Sequence, residues 1–174
     1  WESTIANRRP GIFRKLLFHP QTLPGFNDSG AHVANIAFYD GNLRMLKIAQ
    51  AEDLRHVTLA IHRLTQLPAE FFGLDAGRLH VGARADLCVI DPEALRRWNP
   101  EKTCRFTHRE EFGCRQVVNR PDGVVRQVMI GGQVAWDQAE YAAGFGHTPF
   151  GRVLKAAPRE DEAAAPRRHS GQRA

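Results

Sequence analysis

The texture of the chain changes at Gly77, and that change limits the architectures open to it. Before Gly77 the apolar residues recur at helical spacing. After it, Gly77, Gly82, Gly123, Gly131 and Gly132 punctuate short β-rich runs over 85–90, 114–118, 124–130 and 133–136. Such runs need neighbours to be stable, and glycine-containing turns between them supply hairpins. Gly131-Gly132 is the clearest hairpin signal, because both positions tolerate positive φ. Asp91-Pro92 ends the run before it, and residues 92–98 can make a turn of helix. The second half therefore reads as an antiparallel sheet.

The first half reads as helices. Ile12, Leu16 and Leu17, with Phe13 beside them, fall on one stripe and Arg14 and Lys15 on the other, so a helix is expected over about 11–18. His19-Pro20 stops it, since the residue before proline is pushed out of the helical region. Residues 22–26 suit a short strand. Asn42 is the expected cap of a helix holding Leu43, Met45, Leu46 and Ile48, with Arg44 and Lys47 outward. Asp53 or Thr58 caps the next. Pro68 either opens a further short helix or breaks this one, and Gly73 ends it.

Charge and cysteine usage narrow the classes of function. Lys and Arg total 24 against 19 Asp and Glu, a net charge of +5. Residues 156–174, rich in Ala, Pro, Arg and Glu without apolar periodicity, are expected to be a disordered, solvated basic tail. No aromatic residues are interleaved there to stack on bases, so nucleic acid is not an expected partner. The apolar runs fall far short of the ~20 residues of a membrane span, so no membrane partner is expected either. Cys88, Cys104 and Cys114 are odd in number and form neither a disulfide framework nor a C-x-x-C knuckle. Cys88, inside Leu87-Cys88-Val89-Ile90, is expected to pack as a small hydrophobe, and a reducing, cytoplasmic location follows as the expectation. The chain opens on Trp1 without a signal-peptide pattern, and is expected to be the rear portion of a longer protein.

One stretch carries candidate chemistry. In Leu23-Pro24-Gly25-Phe26-Asn27-Asp28-Ser29-Gly30-Ala31-His32 an apolar run ends in an acid, two small residues let the backbone turn, and a histidine follows four positions after the acid. That pattern presents a carboxylate at the end of a strand, where catalytic acids are often found, but it is also ordinary turn or N-cap chemistry. For His32, a loop histidine bonded to backbone is the alternative to a substrate contact. No H-x-H or H-E-x-x-H occurs. His19 and His62 read as structural, and His56, His80, His108, His147 and His169 have no carboxylate or cysteine at a metal-ligand spacing.

Several ordered motifs surround that stretch: Leu-Pro-Gly-Phe-Asn-Asp-Ser-Gly-Ala-His-Val at 23–33, Ala-Ile-His-Arg-Leu-Thr-Gln-Leu-Pro-Ala-Glu-Phe-Phe-Gly-Leu at 60–74, and Gly-Arg-Leu-His-Val-Gly-Ala-Arg-Ala-Asp-Leu-Cys-Val-Ile-Asp-Pro at 77–92. Val-Asn-Arg-Pro-Asp-Gly-Val-Val-Arg-Gln-Val-Met-Ile-Gly-Gly at 118–132 and Gly-Arg-Val-Leu at 151–154 continue the series. Together they resemble the C-terminal part of a metal-dependent amidohydrolase, in the branch of the N-acyl-D-amino-acid deacylases, or D-aminoacylases. The resemblance implies an α/β fold: a C-terminal fragment of a (β/α)8 barrel, with its last strand and helices over 1–74, followed by part of a small antiparallel β-sandwich over 75–155 and the tail over 156–174. Asp28 then lies at the mouth of the last strand as base and metal ligand, and His32 lies near the substrate. Asn27-Asp28 stands where the family usually has Ser-Asp, which alters the hydrogen bonding expected around the acid.

The chemistry implied is amide hydrolysis with zinc. A divalent metal brings the pKa of a bound water toward ~7 and polarises the carbonyl. A carboxylate within reach of that water then moves its proton, contributing roughly 10²–10⁴-fold. A catalytic zinc keeps three protein ligands, and most are expected upstream of this chain, so the fragment alone is expected to be inactive. The expected partners are a small-molecule N-acyl amino acid, the missing N-terminal barrel segment and, when that is absent, another copy of the chain. Two alternatives stand beside this reading: a cyclic amide or imide hydrolase of the same superfamily, and a non-catalytic module in which the sheet mediates subunit contact. One strand of eight cannot close a barrel. Phe26, Ile36, Leu46, Ile61 and Leu64 are therefore expected to be partly exposed and the isolated chain to be oligomeric or poorly soluble. Sedimentation velocity checks this; a compact monomer with one cooperative melt would contradict it.

Overall fold

The structure, a computed structural model, describes residues 9–24, 40–110, 113–119, 123–138 and 140–156. Its first element, α1 (Pro10–Leu17), begins with proline at the first helical position, where no N–H is needed, and ends as expected before His19-Pro20. None of its residues is buried. Of the strand expected over 22–26, residues 22–24 have no strand structure and the other two lie outside the described residues.

Helix α2 (Gly41–Glu52) starts one residue after Asp40, which takes the cap position in place of Asn42. The Asp40 carbonyl accepts from the Arg44 N–H at 2.9 Å, closing the first turn, and Asn42 lies exposed inside that turn. Asp53 alone separates α2 from α3 (Leu54–Leu64) and caps it, its carboxylate accepting from the His56 N–H at 2.9 Å. Thr58, the alternative cap, instead bonds back to the Leu54 carbonyl at 3.0 Å. Ala49 of α2 and Ala60 of α3 are both fully buried, and their small side chains let the two helices approach closely. Helix α4 (Gln66–Phe71) contains Pro68 in its first turn, and Gly73 follows its end with φ +65°.

The sheet half begins with β1 (Leu87–Ile90), then α5 (Pro92–Arg97) and the single turn α6 (Pro100–Thr103). Next come β2 (Arg105–Arg109), β3 (Cys114–Val118), β4 (Val125–Ile130), β5 (Gln133–Asp137) and β6 (Glu140–Tyr141). Four strands form one antiparallel sheet in the order β1-β4-β5-β6, and β2 pairs with β3 in a separate ribbon. The hairpin between β4 and β5 turns at Gly131 and Gly132, with φ +58° and +82°, as the paired glycines require. Strand β2 has no counterpart in the sequence reading. Its Arg-Phe-Thr-His-Arg alternates weakly, and it is a strand because β3, which buries Gln116, Val117 and Val118, offers it a full ladder from Arg105 opposite Val118 to Arg109 opposite Cys114.

Helices and sheet share a core. Met45, Leu46, Ala49, Ala60, Leu95, Trp98 and Val124 form one buried cluster, with Leu17, Phe18, Val57, Leu64 and Ile90 packed against it. Three sequence expectations change here. Leu46 is buried at 9% rather than exposed, because α5 covers α2; Ile61 is half exposed, and Phe26 and Ile36 lie outside the described residues. Lys47 does not simply face water: its ammonium donates to the Leu95 carbonyl at 3.0 Å and the Arg96 carbonyl at 2.6 Å, holding the end of α5. Cys88 is exposed, because β1 is an edge of the described sheet, and only Leu87 and Ile90 turn partly inward.

Gly77 is a second position where the backbone demands glycine. At φ +77°, a Cβ there would lie 2.5 Å from the Thr65 carbonyl oxygen, which belongs to the backbone between α3 and α4. Gly77→Ala should cost more than ~1 kcal/mol. Gly11, exposed inside α1 with open space around it, should respond with the opposite sign, Gly11→Ala adding about 0.5–1 kcal/mol. Urea or thermal unfolding of the two variants beside the parent chain measures both.

Candidate functional site

Asp28 and His32 lie outside the described residues. What the structure does describe is how the chain is held on either side of them. Upstream, α1 ends in a tight turn wired through Thr22. The Thr22 hydroxyl donates to the Leu16 carbonyl at 2.6 Å and sits 2.9 Å from the His19 carbonyl, and the Gln21 N–H reaches His19 Nδ1 at 3.2 Å. Into this turn projects Arg63, from the last turn of α3. Its side chain is buried, at 2% exposure, and its guanidinium donates to the carbonyls of Leu17, at 2.6 Å, and His19. Desolvation lowers the Arg63 pKa from its usual value, but a guanidinium stays charged under ordinary conditions. The carbonyl-rich end of a helix is a suitable place for that charge.

Downstream stands Asp40, also 2% exposed. Arg44 Nε donates to its Oδ2 at 2.6 Å and Asn119 Nδ2 donates to the same oxygen at 2.8 Å. Asn119 Nδ2 also donates to the Pro100 carbonyl at 2.8 Å, while the Thr103 hydroxyl donates to Asn119 Oδ1. The chain of contacts ends in the core, where Trp98 Nε1 donates to Thr103 at 2.8 Å. Desolvation pulls the Arg44 pKa down, but its bonds to Asp40 and Glu101 outweigh that and raise it. Sequence reasoning missed Arg63, Asp40 and Asn119. A single polar residue inside an amphipathic pattern looks like surface, and no local spacing marked them otherwise.

The other candidates separate in the structure. His56 does have an acidic neighbour: its Nδ1 lies 2.9 Å from Asp53 Oδ1, a contact made by the helix cap. His80 Nδ1 lies 2.9 Å from the Val81 carbonyl. Among the described residues no three His, Cys, Asp or Glu side chains converge as a metal ion requires, so these residues do not by themselves make a zinc site. Two clefts stand out in the described part. One, of about 230 Å³, includes Glu70, Asp75, Arg78, His80 and Arg84 in its lining; the other, of about 450 Å³, is a more apolar groove between α1 and α2, with Phe13 and Ile48 in its walls. No helix among the described residues is long and apolar enough to cross a membrane.

Asp91, Asp86, Asp53 and Glu70 serve the fold. Asp91 caps α5 by accepting from Glu93 and Ala94, and Arg126 Nη2 donates to its other oxygen at 2.8 Å. These contacts, the Ala94 N–H first, lower its pKa. Arg84 and the Gly131 N–H do the same for Asp86, the His56 N–H for Asp53, and Gln66 with Arg78 for Glu70. A depressed folded pKa stabilises the fold above the unfolded value, 3.8 for Asp, and that stabilisation is lost as pH falls through the lower folded value. The melting temperature should therefore drop as pH falls below about 4. Asp91→Asn should lower it at pH 7 and flatten the acid limb, which a series of thermal melts would show.

The model of the Amidohydrolase family matches residues 29–136, a span that begins one residue after Asp28 and includes His32. An uncharacterized protein of Mycobacterium bovis and two of Mycobacterium tuberculosis are each 36% identical to the chain over 170 residues, covering 90% of it. The chain spans 27% of the length of these relatives. No solved structure matches it. With the family match covering more than half of its residues, this chain belongs to the amidohydrolase family.

Proposed function

We propose that the chain is the catalytic-acid-bearing part of a hydrolase of linear amides, and that its substrates are N-acyl-D-amino acids. The observation that carries the reading is the stretch from Leu23 to His32, which runs into the start of the family match and whose acid and histidine, four positions apart, resemble the deacylase branch. Asp28 acts as general base and as one metal ligand, and His32 meets the substrate. The family is generally metal-dependent, and zinc is the metal proposed. When bound, it supplies an acidified water and a polarised carbonyl. Asp28 is the donor this chain contributes, and the relatives' greater length leaves room for the others outside the matched stretch.

The residues divide the labour by chemistry. A carboxylate at Asp28 holds a proton between the attacking water and the departing amine, which an amide at the same position cannot do. A histidine at position 32 offers an N–H to the carboxylate of an N-acyl amino acid, an interaction that improves binding and orientation. The free thiols of Cys88, Cys104 and Cys114 suit a reducing, cytoplasmic setting.

The test is an assay of the full-length protein with zinc against N-acyl-D-amino acids, N-acyl-L-amino acids and a cyclic imide. Turnover of the D-series should dominate, chelation should abolish it and added zinc should restore it. Asp28→Asn should lower kcat by about 10²-fold or more, the scale of a lost acid or base. His32→Asn should act mainly on KM. Activity within a few-fold of the parent after Asp28→Asn would remove Asp28 from the chemistry.

A further inference from the structure

We propose that the polar cleft between α4 and the loop leading to β1 is a binding site for a small zwitterion, a free α-amino acid. Glu70, Asp75, Arg78, His80 and Arg84 are in its lining, and it encloses about 230 Å³. Arg84 makes the strongest demand for a ligand. Its side chain is 12% exposed, so the guanidinium has lost most of its water, and burying a charge is costly unless its donors find partners. Among the described residues it makes one hydrogen bond, from Nε to Asp86 Oδ2 at 2.7 Å. Its Nη1 and Nη2 are left to whatever enters the cleft that Arg84 lines, and together they form a fork that can grip a carboxylate through two parallel bonds.

Acids line the same cleft. Glu70 already accepts from Gln66 Nε2 and Arg78 Nη2, each at 2.7 Å, whereas Asp75 enters no side-chain hydrogen bond or ion pair among the described residues. Arg78 and Arg84 are thus balanced by Glu70 and Asp75 around one space. That balance disfavours a simple anion or cation and matches a ligand that carries both signs, its carboxylate on Arg84 and its ammonium on Asp75. The volume is below the ~300–1,000 Å³ typical of sites for drug-sized ligands, and suits a molecule the size of an amino acid.

The walls are held in place by contacts of the chain itself. Gly77 packs against the Thr65 carbonyl with no room for a Cβ, the Leu74 N–H donates to the Ala69 carbonyl at 2.8 Å, and Arg78 ties the loop to Glu70 of α4. At the far end of the loop Asp86, the partner of Arg84, accepts from the Gly131 N–H at 2.7 Å, which fixes it to the hairpin between β4 and β5. A site built in advance loses little freedom on binding. A free amino acid is also the amine product of the proposed deacylation, but the site stands on its own lining and does not depend on the role given to Asp28.

Isothermal titration of the 174-residue chain with D-alanine, propionate and ethylamine tests the assignment. Propionate lacks the amine of alanine and ethylamine lacks its carboxylate, so D-alanine should bind about tenfold or more tightly than either. Asp75→Asn should weaken D-alanine about tenfold with little change for propionate, and Arg84→Gln should weaken both by a similar factor. Arg84→Lys keeps a charge without the fork and carries the test if Arg84→Gln fails to fold. Propionate binding as tightly as D-alanine would make this a simple anion site and overturn the proposal. No binding of D-alanine, or binding unchanged in both Asp75→Asn and Arg84→Lys, would overturn it as well. Asp28→Asn separates this site from the proposed catalytic one: it should leave the titration unchanged, and loss of D-alanine binding there would place the ligand elsewhere.

Discussion

A buried carboxylate tolerates its surroundings only if donors replace the water it has lost, and Asp40 meets that condition with two. Arg44 comes from its own helix and Asn119 from the end of β3, so the contact is both a local ion pair and a long-range tie. The remainder of the network follows from it. Asn119 must satisfy its own oxygen, which brings in Thr103, and Thr103 in turn receives the indole N–H of Trp98. Removing any member leaves a polar atom stranded in the interior, which costs more than the bond itself is worth. The helical layer and the strands are therefore coupled through polar contacts as well as through apolar packing.

The apolar side of that coupling uses small residues. Ala49 and Ala60 are fully buried where α2 and α3 meet, while α5 contributes Leu95 and Trp98 follows at its end. Capping and tertiary packing act together at Asp91. Its carboxylate caps α5 and pairs with Arg126 of β4, while its own N–H donates to the Val124 carbonyl at 2.9 Å. Val124 is almost fully buried, so one residue joins a helix start, a strand start and the core. On the outside, Phe71, Phe72, Leu79 and Val81 are all more than half exposed.

Local signals were the legible ones. The stop of α1 before His19-Pro20, a cap at Asp53, one of the two residues offered, and the Gly131-Gly132 hairpin each depend on backbone sterics or a bond spanning a few residues, and each stands as the spacing suggests. The amidohydrolase motifs were legible for the same reason, being contiguous. Strand β2 was not, because its pairing with β3 rather than its own composition makes it a strand. The exposure of Cys88 was hidden too: an apolar run is buried on both faces only where other layers cover both faces of its sheet.

By itself, the order of residues determined the helix-then-sheet organisation, the helix boundaries set by His19-Pro20, Asp53 and Gly73, the glycine hairpin and the family motifs from Leu23 onward. Those properties arise from interactions a few residues long, for which neighbours in sequence are neighbours in space. Tertiary structure alone decided that Asp40 would face Asn119 instead of capping α2, that Arg63 would enter the interior to hold the end of α1, and that Lys47 would close α5. A charged side chain carries no mark of which distant carbonyl or amide will meet it. Whether it is solvated or buried is settled when the core around Trp98 and Ala60 brings the elements together.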